Sequence, residues 1–352
     1  MTTFALRRLR TTALFQHASC APYTYNATSI AFKSQFRPSS PKPSSLQRWA
    51  SSTSNSTAKD AAPLSSPLNG PLKTRPPPLE LPPPKDPQTS TIKYYIALGK
   101  AYATFYKTGA KAIYTNFRAS QPIQDLIDTK HASSIPAAVS ANALTRSEFQ
   151  LLNRNWHDVK RVPIFGMVFI VCGEFTPLVV IALSSVVPWT CRIPKQIEAD
   201  RKKLEKRRGI SFRNLVVEPP TKKGVDSLAR MQVLHVSWSL GLSSSAWDFL
   251  GGQYPGLPTW VLRRKVASSV EYLEMDDKLL GGPKRVDELE PEEVRMALVE
   301  RGVDVLGKPL KNLRADLTAW LSSRETAPVE RLLLTRPSVW PVKPQYLSDK
   351  SS

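Results

Sequence analysis

A single carboxylate, Glu174, stands in the middle of an otherwise uncharged run from Val162 to Val187, VPIFGMVFIVCGEFTPLVVIALSSVV. It lies 12 residues after Val162 and 13 before Val187, too deep for its short side chain to reach either end. A carboxylate near a bilayer centre costs roughly 2.5–3.5 kcal/mol on insertion scales, and burial there favours its protonated form. The chemistry open to it is narrow. It could take up and release a proton or small cation at a helix–helix contact, or, protonated, hydrogen-bond a neighbouring helix. One span alone forms no pathway, so either role calls for a homo-oligomer or for partner membrane helices.

Little else is suited to catalysis. The cysteines are Cys20, Cys172 and Cys191, and the histidines His17, His131, His157 and His235 are scattered. No disulfide framework or Cys-x-x-Cys metal site can be built from them. There is no phosphate-binding glycine loop and no nucleophile beside a base. An enzyme is therefore not expected, and neither is a cofactor or a metal. The formal net charge is +20, and its location matters more than its size. Eight Lys/Arg fall between Arg192 and Arg208, whereas residues 231–352 balance at 16 against 16. Arg201, Lys202, Lys203, Lys206, Arg207 and Arg208, with Arg263, Arg264 and Lys265, are the candidate contacts to a polyanion. Solvated surface charge is the plain alternative.

Positioning Glu174 falls to the run itself. Its 26 residues exceed the about 20 that a helix needs to cross a bilayer. The sequence predicts a single transmembrane helix over 162–188, kinked by Pro163, Pro177 and Pro188 at its start, middle and end. The basic stretch after it outweighs the three cations of the 15 residues before it, which places the C-terminal part on the positive-inside face. Arg7, Arg8 and Arg10 alternate with Phe4, Leu6, Leu9 and Leu14, and residues 1–59 contain no acid. That is the pattern of a mitochondrial transit peptide over 1–50, so the expected site is the inner membrane with the C-terminal domain in the matrix.

Residues 51–90 are Pro- and Ser-rich and predict a disordered linker. A helical pre-membrane region follows over 91–161, with Lys93, Lys100, Lys107 and Lys111 on one face opposite aromatics, suited to anionic inner-membrane lipids. Gln121 to Ala143 is expected to be a loop. Residues 189–230 form a basic juxtamembrane segment, 231–325 a helical domain and 326–352 a tail. In the domain, Leu262, Val266, Val270 and Leu273 make one helical face, Gly281 and Gly282 a stop, and Pro291 with Glu292 and Glu293 a start. No strand alternation competes, so the fold class is mainly α.

Several motifs also resemble a family. Leu144-Thr145-Arg146, Leu151, Asp158, Arg161-Val162-Pro163, Glu174-Phe175, Pro177, Pro188 and Ile193-Pro194 resemble the membrane region of the LETM family, leucine-zipper, EF-hand-containing transmembrane proteins of the mitochondrial inner membrane. Ile164 and Cys172-Gly173 depart from that pattern. Pro258-Thr259-Trp260, Leu262-Arg263-Arg264, Asp276-Asp277, Glu292-Glu293, Arg301-Gly302-Val303 and Leu313 to Leu321 resemble the family's ribosome-binding domain. With no calcium loop and no sustained leucine heptad, the chain looks like a short form. The resemblance implies an all-helical, 14-3-3-like domain, the mitochondrial ribosome as partner, and support of translation or membrane insertion. The second function it implies is monovalent-cation (potassium)/proton homeostasis.

Overall fold

The computed structural model describes residues 66–84, 90–172, 187–215, 223–244 and 256–340. The transit segment, Glu174 and Pro177 lie outside the described residues. The elements are α1 (Thr91–Lys130), α2 (Ile135–Ser140), α3 (Arg146–Val159), α4 (Val162–Cys172), α5 (Pro194–Asn214), α6 (Arg230–Ser239), α7 (Thr259–Leu280), α8 (Pro291–Glu300), α9 (Leu310–Arg324) and α10 (Val329–Leu333). Short 3₁₀ turns join several of them, and no strand occurs among the described residues, as the mainly α reading expects.

Local sequence explains where the main helices start and stop. The Leu144-Thr145-Arg146 motif is a helix start: the Thr145 hydroxyl accepts the backbone N–H of Glu148, and the Glu148 carboxylate accepts that of Thr145. Leu144 and Arg146 flank this cap and turn inward. In α7 the face Leu262, Val266, Val270, Leu273 is buried, and Gly281 ends the helix at φ 72°, a left-handed conformation that glycine adopts without strain. Pro291 opens α8, where its missing N–H costs nothing.

The structure departs from the sequence reading in four places. First, residues before and after the apolar run do not form separate domains. Leu68, Ile127, Leu144, Phe149 and Leu152 share one core with Val266, Leu273, Leu298, Leu317 and Trp320. Second, the proline-rich stretch is not a spacer throughout. Over 66–84 it is a strap: Leu68 is buried in the core, Pro67 accepts the N–H of Ser147, and Asn69 bonds Glu288 and Glu290. One apolar anchor and a few side-chain bonds hold a segment whose composition argues for none.

Third, the expected loop after Gln121 is largely helix, because α1 runs through Pro122 to Lys130. The lost backbone bond is outweighed by burial of Ser120 and Ile127, with Asn155 of α3 donating to the Ser120 hydroxyl. Fourth, the described helix of the apolar run is short: residues 173–186 of the expected crossing lie outside the described residues, and no helix among the described ones is long and apolar enough to cross a membrane. The described part of the run is α4, whose 11 residues rise about 16 Å at 1.5 Å each. Pro163 sits in its first turn, where it starts a helix and kinks nothing. Pro188 precedes the 3₁₀ turn Trp189–Cys191 in an extended conformation.

Candidate anion-binding cleft

A buried ionic network fixes α3 against α7 and α8. Arg146 of α3 is fully buried; its Nε donates to Asp276 at 2.8 Å and its Nη1 to Glu293 at 3.2 Å and to the Leu68 carbonyl at 2.9 Å. Arg154, two turns on, grips both oxygens of Glu293 at 2.7 and 2.9 Å. Arg75 of the strap adds bonds to Glu293 and Glu290 at 2.9 and 2.6 Å. Arg301 bonds Asp276 and Asp277 at 2.7 and 2.6 Å, and Asp277 also accepts from Trp320 and Arg324. Burial alone would raise the Glu293 pKa. Arg154 foremost, then Arg146 and Arg75, outweigh it and hold the carboxyl at about 2. Asp276 likewise lies well below the usual carboxylate range because Arg146 and Arg301 overcome its burial. Each charge here is matched, so the network is a fastening and not a reaction centre.

On the flank of this network a cleft of about 1420 Å³ opens among α3, the Trp189–Cys191 turn, α5 and α7. Its lining is strongly cationic: Lys160, Arg161, Arg192, Arg201, Arg264 and Lys265 face only Asp200 and Glu300. Aromatic rings alternate with them. Lys160 lies over Trp156 at 5.2 Å, Arg192 over Trp189 at 5.5 Å, and Trp260 stands exposed at the rim. Burial lowers the Arg161 pKa, and the neighbouring Arg192, which pairs with Asp200 at 3.3 Å, lowers it further, against the pull of Asp158. Burial keeps His157 toward its neutral form. Convergent guanidinium groups and flat rings suit a ligand with several phosphate oxygens and unsaturated faces.

Glu300 is the exception in the cleft. Burial, and then Asp276, push its carboxyl up to about 7, and it accepts from the Tyr272 hydroxyl at 3.0 Å. A folded-state pKa above the unfolded value means that the folded protein prefers the protonated acid. That stability is complete below about pH 4.3 and is lost as pH rises through about 7. The melting temperature is therefore expected to fall between pH 5 and pH 8, and Glu300→Gln, which keeps size and hydrogen bonding, should flatten that part of the profile.

The sequence-derived polyanion residues divide three ways. Arg201, Arg264 and Lys265 reach the cleft, although Arg201 also pairs with Glu292 at 2.8 Å and Lys265 donates to the Leu242 carbonyl. Lys202, Lys203 and Lys206 are exposed on α5 away from the cleft lining, and Arg263 donates to the Leu228 carbonyl. Arg207 and Arg208 are a correction. They point inward, bonding the Ser243 and Ser239 carbonyls at 2.8 and 3.0 Å, and Arg208 pairs with Glu205. On a 21-residue helix consecutive cations cannot all share one face. The sequence reading did not single out Lys160, Arg161 and Arg192, which line the cleft. Their signal was available: Arg and Lys beside Trp156 and Trp189 at both ends of the apolar run.

Comparison with known proteins gives two matched regions. Residues 127–224 match the family described as "Pentamidine resistance factor domain", and residues 252–339 match the one described as "LETM1-like, RBD". No curated protein and no solved structure matches the chain. The motif residues Arg146, Asp276, Asp277, Glu293 and Arg301 all belong to the buried network, which joins both matched regions. Residues 252–339 are thus similar to the LETM1-like RBD, in agreement with the motifs of that part of the chain.

Proposed function

We propose that this protein is a mitochondrial inner-membrane tether whose helical body binds the mitochondrial ribosome and supports translation or insertion at the membrane. The observation that carries the reading is the LETM1-like RBD match over residues 252–339. The cationic, ring-lined cleft supports it, because ribosomal RNA offers closely spaced phosphates and exposed bases. Arg201, Arg264 and Lys265 contact the RNA, with Lys160, Arg161 and Arg192 closer to the membrane. Lys202, Lys203 and Lys206 add longer-range attraction from the outer face of α5. Transit over residues 1–50 brings the chain to the organelle, and the apolar run holds it in the lipid. Co-sedimentation of the detergent-solubilised protein with mitochondrial ribosomes, across a salt series, tests this. Binding that weakens steeply with salt is expected, and salt-independent binding or none would contradict it.

Glu174, the one formal charge of the apolar run, favours a second reading. Assembled copies, or partner membrane helices, would use it to balance monovalent cations against protons, with Pro177 shaping the helix beside it. Glu174→Gln retains size and hydrogen bonding but not titration. A correctly inserted Glu174→Gln protein is then expected to lose the pH-dependent, potassium-driven swelling of mitochondria. Normal swelling would remove this reading and leave the tether.

A further inference from the structure

The two ends of the apolar run meet. Phe165, at the start of α4, and Val187, where the described chain resumes, pack on one small cluster with Ile113, Tyr106 and Cys191. Asp158, near the end of α3, accepts the backbone N–H of Trp189 at 2.5 Å and of Thr190 at 3.3 Å. Gly109 of α1 permits this approach: a Cβ there would lie 2.8 Å from the Thr190 carbonyl oxygen and 2.9 Å from the Cys191 Sγ. Beyond these latches, the segments on either side of the run share the main core and its ionic network.

A bilayer cannot separate residues that pack in one core. A single crossing would hold the ends of the run about 30 Å apart on opposite faces. Two full helical crossings need about 40 residues, and the run has 26. A helix of 11 residues, as in α4, reaches about half of the hydrocarbon thickness. Along α4, Met167, Ile170 and Val171 are 67%, 82% and 78% exposed. At its root stand Lys160, Arg161 and Arg192. The helix α1, which adds Tyr106 and Ile113 to the same small cluster, exposes Ile92, Tyr95 and Ile96 with Lys93 and Lys100 nearer its start. An apolar projection ringed by cations and amphipathic rings fits the anionic leaflet of a bilayer.

We propose that the described residues on both flanks of the apolar run, 90–161 and 187–340, sit on one side of the bilayer as a single body, with α4 entering the leaflet they face. The exposed apolar side chains of α4 lie in hydrocarbon, and Lys160, Arg161 and Arg192 lie at the headgroups. This rests on the membrane reading above and replaces its single crossing. The cations on both flanks of the run then act together on one face instead of competing for it.

The test uses the full-length chain with Cys20→Ser and Cys172→Ala, leaving the buried Cys191. Single probes are introduced as Lys107→Cys on α1 and Lys284→Cys after α7, both exposed positions on opposite sides of the run. A membrane-impermeant maleimide is applied to mitoplasts and to inverted inner-membrane vesicles, each sealed as judged by a protected lumenal marker. Both cysteines are expected to label in one preparation and to be protected in the other. Labelling in opposite preparations overturns the proposal, and so does release of the chain into the supernatant by alkaline carbonate. Neither readout needs ribosomes. Loss of ribosome co-sedimentation with same-side labelling would remove the tether reading and leave this one standing.

Discussion

Arg146→Ala is expected to destabilise the folded body by about 3–5 kcal/mol, the usual cost of breaking a buried ion pair from one side. Arg146 is 1% exposed and is the one side chain that bonds the strap, α7 and α8 from α3. Its removal leaves Asp276 with one ion-pair partner, Arg301, beside the Gln150 donor, and Glu293 with Arg154 and Arg75. It also strips a donor from the Leu68 carbonyl. Arg146→Lys should recover little, because an ammonium cannot fork to three acceptors in three directions. The location of the loss matters as much as its size. Trp156 on α3 and Trp320 on α9 belong to the two sides of the apolar run. If those sides are one cooperative unit, urea unfolding should be lowered equally whichever region is followed, for example by limited proteolysis of each. An unchanged transition for residues 256–340 would mean that the two sides fold independently.

The second large effect is expected at the cleft. Changing Arg201, Arg264 and Lys265 together to Gln should weaken ribosome co-sedimentation about tenfold or more near physiological salt. The slope of log affinity against log salt should fall by about 2, since each phosphate contact on a single strand contributes about 0.7. The comparison that gives this meaning is Arg207→Gln with Arg208→Gln. Those cations are buried on backbone carbonyls, so their loss should lower stability while leaving the salt slope of the folded fraction alone. By charge counting the two sets look alike, and only burial separates them.

That contrast also shows which parts of the molecule were legible in the sequence. The helical faces of α7, α8 and α9 were readable because apolar spacing at three and four residues reports directly on a buried stripe. Gly281 was readable as a helix end because capping is local chemistry. The strap was not, because Pro-rich composition averages away one decisive residue, Leu68, and the ion pairs of Arg75. Nor was the continuation of α1 through Pro122, where tertiary burial of Ile127 overrides a local penalty. The closeness of the residues that flank the apolar run was not legible for a related reason. Hydropathy registers how long an apolar run is and says nothing of where its ends are held, and the Asp158 latch to Trp189 joins residues 31 apart. The cleft was half visible: Arg264 and Lys265 stood out as a cluster, whereas Arg161 and Arg192, 31 residues apart, meet only in the fold.

Cross-linking of tagged protein in intact mitochondria, before and after ribosome dissociation, tests the central claim most directly. A photoreactive residue placed at Trp260, exposed at the cleft rim and 71% accessible, reports on what occupies that face. The tether account expects cross-links to ribosomal RNA or ribosomal proteins that disappear when the ribosomes are dissociated and persist when only translation is stalled. A cross-link pattern free of ribosomal components, or one that dissociation leaves unchanged, would contradict it.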